Sequence, residues 1–137
     1  MKKIVFIFAL IACVFTFATE SSSQSIDKTA IEKLIGTYQN VLNASDAAKV
    51  VSLYTENGVL MANAAPTSEG ASQVKGTYEY VFNKFTYTLK FTVLEIQVSG
   101  NTAFARSTSK GTFLIKSSGQ IVEDENRELF VFEKAKR

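Results

Sequence analysis

The sequence predicts an α+β domain in which three helices pack on one face of a strongly bent antiparallel sheet. Three observations predict it. Apolar residues recur at helical spacing as far as Phe85. From there the period changes to two, through three long runs separated by turns. Within the first run the alternation slips by one residue at Val93-Leu94, which needs a β-bulge and therefore a curved sheet.

The elements follow in the order ααβαβββ. Ile31, Leu34, Ile35, Tyr38, Val41 and Leu42 fall on one helix face, with Asp27 as a cap or Thr29 and Glu32 as a capping box. Asn43-Ala44-Ser45-Asp46 breaks that pattern, and a shorter helix turns Val50, Leu53 and Tyr54 inward. Thr55-Glu56-Asn57-Gly58 reads as a turn and Val59-Leu60-Met61-Ala62 as a short strand. A loop from Asn63 to Gly70 carries the only proline, Pro66.

The third helix places Val74, Tyr78, Val81, Phe82 and Phe85 on one face. Gly76 within it costs about 1 kcal/mol relative to Ala and suggests close packing. Tyr87, Leu89, Phe91 and Val93 then alternate with polar residues, and after the slip Leu94, Ile96 and Val98 carry the apolar side. Turns at Ser99-Gly100-Asn101 and Ser117-Ser118-Gly119-Gln120 separate the strands Thr102 to Lys116 and Ile121 to Phe132.

The chain begins Met-Lys-Lys and continues with an uncharged apolar run from Ile4 to Ala18, too short to span a bilayer. This is the pattern of a secretory signal peptide cut after Ala18, which places the protein in the periplasm or outside the cell. Leu10-Ile11-Ala12-Cys13 also matches a bacterial lipobox, so a lipoprotein anchored through Cys13 is the alternative. Residues 1–18 are thus the signal, 19–26 a flexible polar leader, 27–133 the domain and 134–137 a charged tail.

Composition excludes several functions. The 137 residues include 15 Lys+Arg, 13 Asp+Glu, one Cys and no His, a formal charge of +2. Without His there is no Ser-His-Asp or Cys-His machinery and no His-ligated zinc. Lys2 and Lys3 leave with the signal, so the mature chain is neutral and thiol-free, which suggests neither nucleic acid as a partner nor disulfides. The glycines are too scattered to cradle a phosphate, no cofactor is implied, and Asp27, Asp46 and Asp124 are too dispersed to propose a metal site. Asn43-Ala44-Ser45 is a glycosylation triplet of a kind common by chance.

LYTENGVLMANAAPTSEG at Leu53 to Gly70, FARSTSKGT at Phe104 to Thr112 and ENRELFVF at Glu125 to Phe132 occur in this order. Together they resemble the SnoaL-like branch of the nuclear transport factor 2-like superfamily, over about Asp27 to Phe132. The resemblance implies a cone-shaped, cystatin-like roll whose helices close a deep apolar pocket. It implies a small apolar or amphipathic molecule as ligand, and it leaves a homodimer through the sheet open. Relatives usually continue past the strand ending at Phe132 into a final strand with a Gly-x-Trp-Lys-Ile-like run. This chain ends Glu133-Lys134-Ala135-Lys136-Arg137 and has no Trp, so that strand's share in closing the pocket and in dimerisation is not implied.

Tyr38 and Glu128 match the positions of the oxyanion-hole tyrosine and acid of ketosteroid isomerase, a relative, whereas Ala62 stands where its base would be. A methyl group cannot abstract a proton, so ketosteroid-type isomerisation is disfavoured. Tyr38, Tyr54 and Met61 are otherwise read as core or lining residues, and Asn63 as a pocket neighbour that is not basic. Arg106 shares a face with Phe104, Thr108 and Lys110. Were that face the inner one, Arg106 would be a buried cation paired with Glu128 or Asp124, or an anion or carbonyl clamp. Asn126 and Glu128 share the Phe130 and Phe132 face, and Arg127 points the other way but belongs to the string that carries the resemblance.

Three functions follow. The leading one is ligand binding in the pocket without catalysis. The second is an isomerase or cyclase-type enzyme with Glu128 as acid/base and Tyr38 and Arg106 polarising a carbonyl. The third is a structural or dimerising module with a vestigial pocket.

Overall fold

The computed structural model describes residues 18–135, with side chains from residue 22, so residues 1–17 of the expected signal segment, Cys13 among them, lie outside the described residues. Helix α1 spans Ala18–Asn43 and α2 Ala47–Val51. A two-residue strand β1 (Val59–Leu60) pairs with β2 (Ser68–Glu69), and α3 follows at Gly70–Lys84. The long strands β3 (Phe85–Ser99), β4 (Thr102–Ile115) and β5 (Gln120–Glu133) form one antiparallel sheet in that order. The expected order holds, with β2 added inside the proline loop.

One expectation for the N-terminal part is corrected. The leader is helical and continuous with α1. Residues 19–26 contain no Gly or Pro, and the Thr29 hydroxyl donates to Ser25 O at 3.1 Å one turn back. Asp27 therefore caps nothing and instead takes Lys134 of the chain's other end, Nζ to Oδ1 2.9 Å. The chain turns out of α1 at Ser45, which adopts φ 56°. Asp46 N–H then reaches back to Val41 O at 3.1 Å, and the Asp46 carboxylate accepts from Lys49 N–H at 3.0 Å to start α2.

Two apolar clusters hold helices to sheet. Leu42, Val50, Val74, Tyr78, Phe82 and Leu89 join α1, α2 and α3 to the start of β3. Ile31, Ile35 and Ala105 join the middle of α1 to the centre of the sheet. Val50 and Val74 are fully buried, each burial stabilising by about 1.5–3 kcal/mol. Gly76 proves exposed with open space around it, so it marks no close packing.

The slip in alternation is a bulge. Val93 pairs with Ser107 and Glu95 with Arg106, leaving Leu94 as the extra residue. Leu94 is therefore turned out to solvent rather than inward as expected, while Ile96 and Val98 return to the core side. The inner face of β4 is a run of small residues, Ala105, Ser107, Ser109 and Gly111. At Gly111 (φ 155°) an added Cβ would lie 1.9 Å from Thr88 O, so only glycine lets β3 and β4 approach here.

Candidate functional site

The inner face of the sheet, which α1 covers only in part, gathers the polar groups. α1 brings Tyr38, the turn after α2 brings Tyr54, and α3 brings Tyr78. The Tyr78 hydroxyl lies 2.9 Å from that of Tyr38 and 2.9 Å from that of Tyr54. Three hydroxyls carry three protons but close two hydrogen bonds, so one O–H remains to point elsewhere. Burial pushes the phenol of each of the three above its ordinary range, and the Glu128 carboxylate adds to the rise at Tyr38. Tyr38 is thus a neutral phenol, not a base.

Aromatic rings surround the Tyr38 ring. Tyr38 meets Phe91 edge-on at 5.5 Å and Phe130 at 5.6 Å, and Phe130 stacks on Phe132 at 6.0 Å. Beside them Glu128 of β5 is fixed by two hydroxyls from β4. Ser107 Oγ donates to one carboxylate oxygen and Ser109 Oγ to the other, each at 2.5 Å. Register explains this, because Ser107 pairs directly with Glu128 and Ser109 with Asn126. Asn126 Nδ2 then donates to Asp124 Oδ2 at 2.9 Å, and Asp124 helps raise the Tyr87 phenol, after burial.

The expected site residues separate into two groups. Tyr38, Tyr54, Asn126 and Glu128 come together on the inner face. Arg106 does not, and the buried-cation reading is corrected: its face is the outer one, and its Nε donates to Glu95 Oε2 at 2.6 Å. The reason is that small residues, not the arginine, fill the inner side of β4. Arg127 also projects outward and is exposed, as alternation requires. Met61 is 79% exposed and Asn63 exposed, so neither lines the inner face. Strand β1 ends at Leu60, and these residues belong to the loop after it. Sequence reasoning missed Tyr78 as a site residue, reading it only as core, and missed Ser107 and Ser109 as the holders of Glu128. The alternation Ala103, Ala105, Ser107, Ser109 opposite Glu128 was the available signal.

Two concavities adjoin this arrangement without containing it. A cleft of about 180 Å³ lies between α1 and the β3–β4 turn, lined by Ile31, Leu34, Val98 and Phe132 with Asp27 and Lys134 at its rim. A wider one, about 680 Å³, sits outside α2 and α3 among Asp46, Lys75, Glu79 and Lys116. Neither includes Tyr38 or Glu128. The cleft nevertheless shares Phe132 with the aromatic row that ends on Tyr38. No helix among the described residues is long and apolar enough to cross a membrane.

A bent sheet with three helices on its inner side and tyrosines converging with a carboxylate defines a nuclear transport factor 2-like fold of the ketosteroid isomerase type. The chain belongs to the SnoaL-like domain family, whose model matches residues 35–135. It is similar to a ketosteroid isomerase-like protein from Erwinia carotovora atroseptica, at 30% identity and TM-score 0.73 over 77% of this chain and 82% of that one. A nuclear transport factor 2-like superfamily protein from Salmonella enterica shares the fold at 20% identity, with TM-score 0.71 and 82% of each chain covered. So does a protein with a cystatin-like fold from Novosphingobium aromaticivorans, at 19% identity and TM-score 0.68 over 90% of this chain and 82% of that one. Among curated proteins none matches the chain.

Proposed function

We propose that the inner face of the sheet binds a small, flat, apolar or amphipathic molecule that carries a hydrogen-bond acceptor such as a carbonyl oxygen. The observation that carries this reading is the tyrosine chain with its surplus proton, set among Phe91, Phe130 and Glu128. Aromatic rings supply shape and apolar area. Tyr38, with Tyr78 and Tyr54 hydrogen-bonded behind it, supplies one directed donor. Buried in an apolar surround, such a donor contributes about 1 kcal/mol to holding an acceptor and more if charge develops on it. The signal-like first residues favour a protein that works outside the cytoplasm.

Thermal shift with 2-tetralone, a flat ketone, tests the reading, because a ligand selective for the folded state raises its stability. Stabilisation of the native protein and a smaller stabilisation of Tyr38→Phe at the same ligand concentration are expected. Equal stabilisation of both proteins would contradict it.

The carboxylate beside Tyr38 favours a second reading, an isomerase or cyclase-type enzyme with Glu128 as acid/base. The α-protons of 2-tetralone report on it directly. Protein-dependent exchange of these protons with deuterium oxide that vanishes in Glu128→Gln supports catalysis, and binding without exchange refutes it for this class of substrate.

A further inference from the structure

Five carboxylates among the described residues are half-buried: Asp27, Asp46, Glu95, Asp124 and Glu128. Three of them face a cation, Asp27 taking Lys134, Asp46 taking Lys49 and Glu95 taking Arg106. The other two, Asp124 and Glu128, share the inner face of β5 and enter no ion pair among the described residues. Every Lys and Arg among those residues is exposed. Arg106, Lys110 and Arg127, in the same two strands, stand on the outer face by alternation.

What holds Glu128 is neutral. Ser107 and Ser109, 2% and 1% exposed, give one hydroxyl proton to each of its oxygens. A carboxylate offers about four lone-pair sites, so about two stay open, and the hydroxyls orient the negative charge without cancelling it. Asp124, held by the Asn126 amide, adds the same sign about 13 Å along the strand. The opposite flank is apolar. Register sets Phe91 across from Ser109 and Asn126, and Val93 across from Ser107 and Glu128. Between the two flanks β4 presents only small residues.

We infer that the molecule bound on this face is a cation, an amine whose ammonium stands at Glu128 while its ring lies against Phe91 and Phe130. The inference rests on the binding reading above and adds the charge that its ligand carries. An ammonium brings donors to the open lone pairs of Glu128 and the countercharge that the inner face lacks. Half-buried, such a pair is screened by salt less than one on the surface. A neutral ketone gains neither contribution, and a carboxylate on the same ring meets repulsion from both Glu128 and Asp124.

Calorimetric titration of the native protein with three molecules of one ring frame tests the sign of the charge. They are 2-aminotetralin, protonated at neutral pH, uncharged 2-tetralone and anionic tetralin-2-carboxylate. The amine is expected to bind on the order of tenfold more tightly than the ketone, and the anion to bind weakest. Glu128→Gln should bring amine and ketone to equal affinity, with circular dichroism confirming its fold. An amine that binds no more tightly than the ketone, or an anion that binds as tightly as the amine, would overturn the inference and leave the 2-tetralone site standing. So would a preference for the amine that is unchanged in Glu128→Gln. Binding of the amine without the ketone would uphold the charge selection and refute the Tyr38 donor, and binding of none of the three would overturn both.

Discussion

The side-chain amide of Asn43 completes a two-bond ring with the backbone of Leu89, Nδ2 donating to Leu89 O at 2.8 Å and Leu89 N–H donating to Oδ1 at 2.9 Å. One turn earlier on α1, Gln39 Oε1 accepts from Phe91 N–H at 2.8 Å. The last turns of α1 thus act as a substitute strand along β3, meeting backbone groups that have no ladder partner on that side. This relationship fixes α1 against the sheet and so places Tyr38, one turn before Leu42, over Phe91.

Asn43→Ala should therefore destabilise by about 2–4 kcal/mol, since it leaves both polar groups of Leu89 without partners in a part-buried position. Chemical denaturation measures it. A loss under about 0.5 kcal/mol, ordinary for a surface substitution, would show that water satisfies the edge equally well. The same ring explains why the Asn43-Ala44-Ser45 triplet suits no glycan, because its acceptor nitrogen is already a donor inside the fold.

Gly111→Ala should cost about 3 kcal/mol or more, through a forced shift of Thr88 and a positive φ that L-residues rarely adopt. Thr112→Ala, one residue along the same strand, is the control and should cost far less. Equal effects of the two substitutions on the melting temperature would contradict the close approach of β3 and β4.

Alkaline pH should unfold the protein through the tyrosine cluster. Tyr38, Tyr54 and Tyr78 are raised above 10.0 in the folded state, so at higher pH the unfolded chain releases protons that the folded one retains. Their contribution is whole below pH 10 and falls as pH rises beyond it. Tyr78→Phe removes the most strongly shifted of the three. It should lower stability at neutral pH, by leaving its neighbours' hydroxyls without their shared partner, yet flatten the decline above pH 10. Denaturation midpoints against pH, followed with tyrosinate absorbance, measure the slope. An unchanged slope in Tyr78→Phe would contradict the cluster.

Much of this arrangement was legible in the residues. The change of period at Phe85 gave the boundary between helices and sheet, and the slip at Val93-Leu94 gave the bulge, since a sheet with one buried face tolerates no uncompensated slip. The pairing of Asn126 with Glu128 on one face and Arg127 on the other followed from alternation alone. What alternation could not supply was which face is inner when both carry polar residues. On β4 one face offered Ser107 and Ser109, the other Arg106 and Lys110, and only packing against α1 decides between them. The Tyr78 hydroxyl was hidden for another reason. Its ring reads as core at helical spacing, and the partners that make it functional lie 24 and 40 residues away. Helical structure in the polar leader was illegible because its Ser and Thr residues have weak propensity and no apolar face announces it.

Calorimetric titration of the native protein and Tyr38→Phe with 2-tetralone tests the central claim most directly. The account predicts one saturable site per chain and an affinity reduced about tenfold in Tyr38→Phe, the worth of one buried hydrogen bond. No saturable heat with the native protein, or the same affinity in Tyr38→Phe, would contradict it.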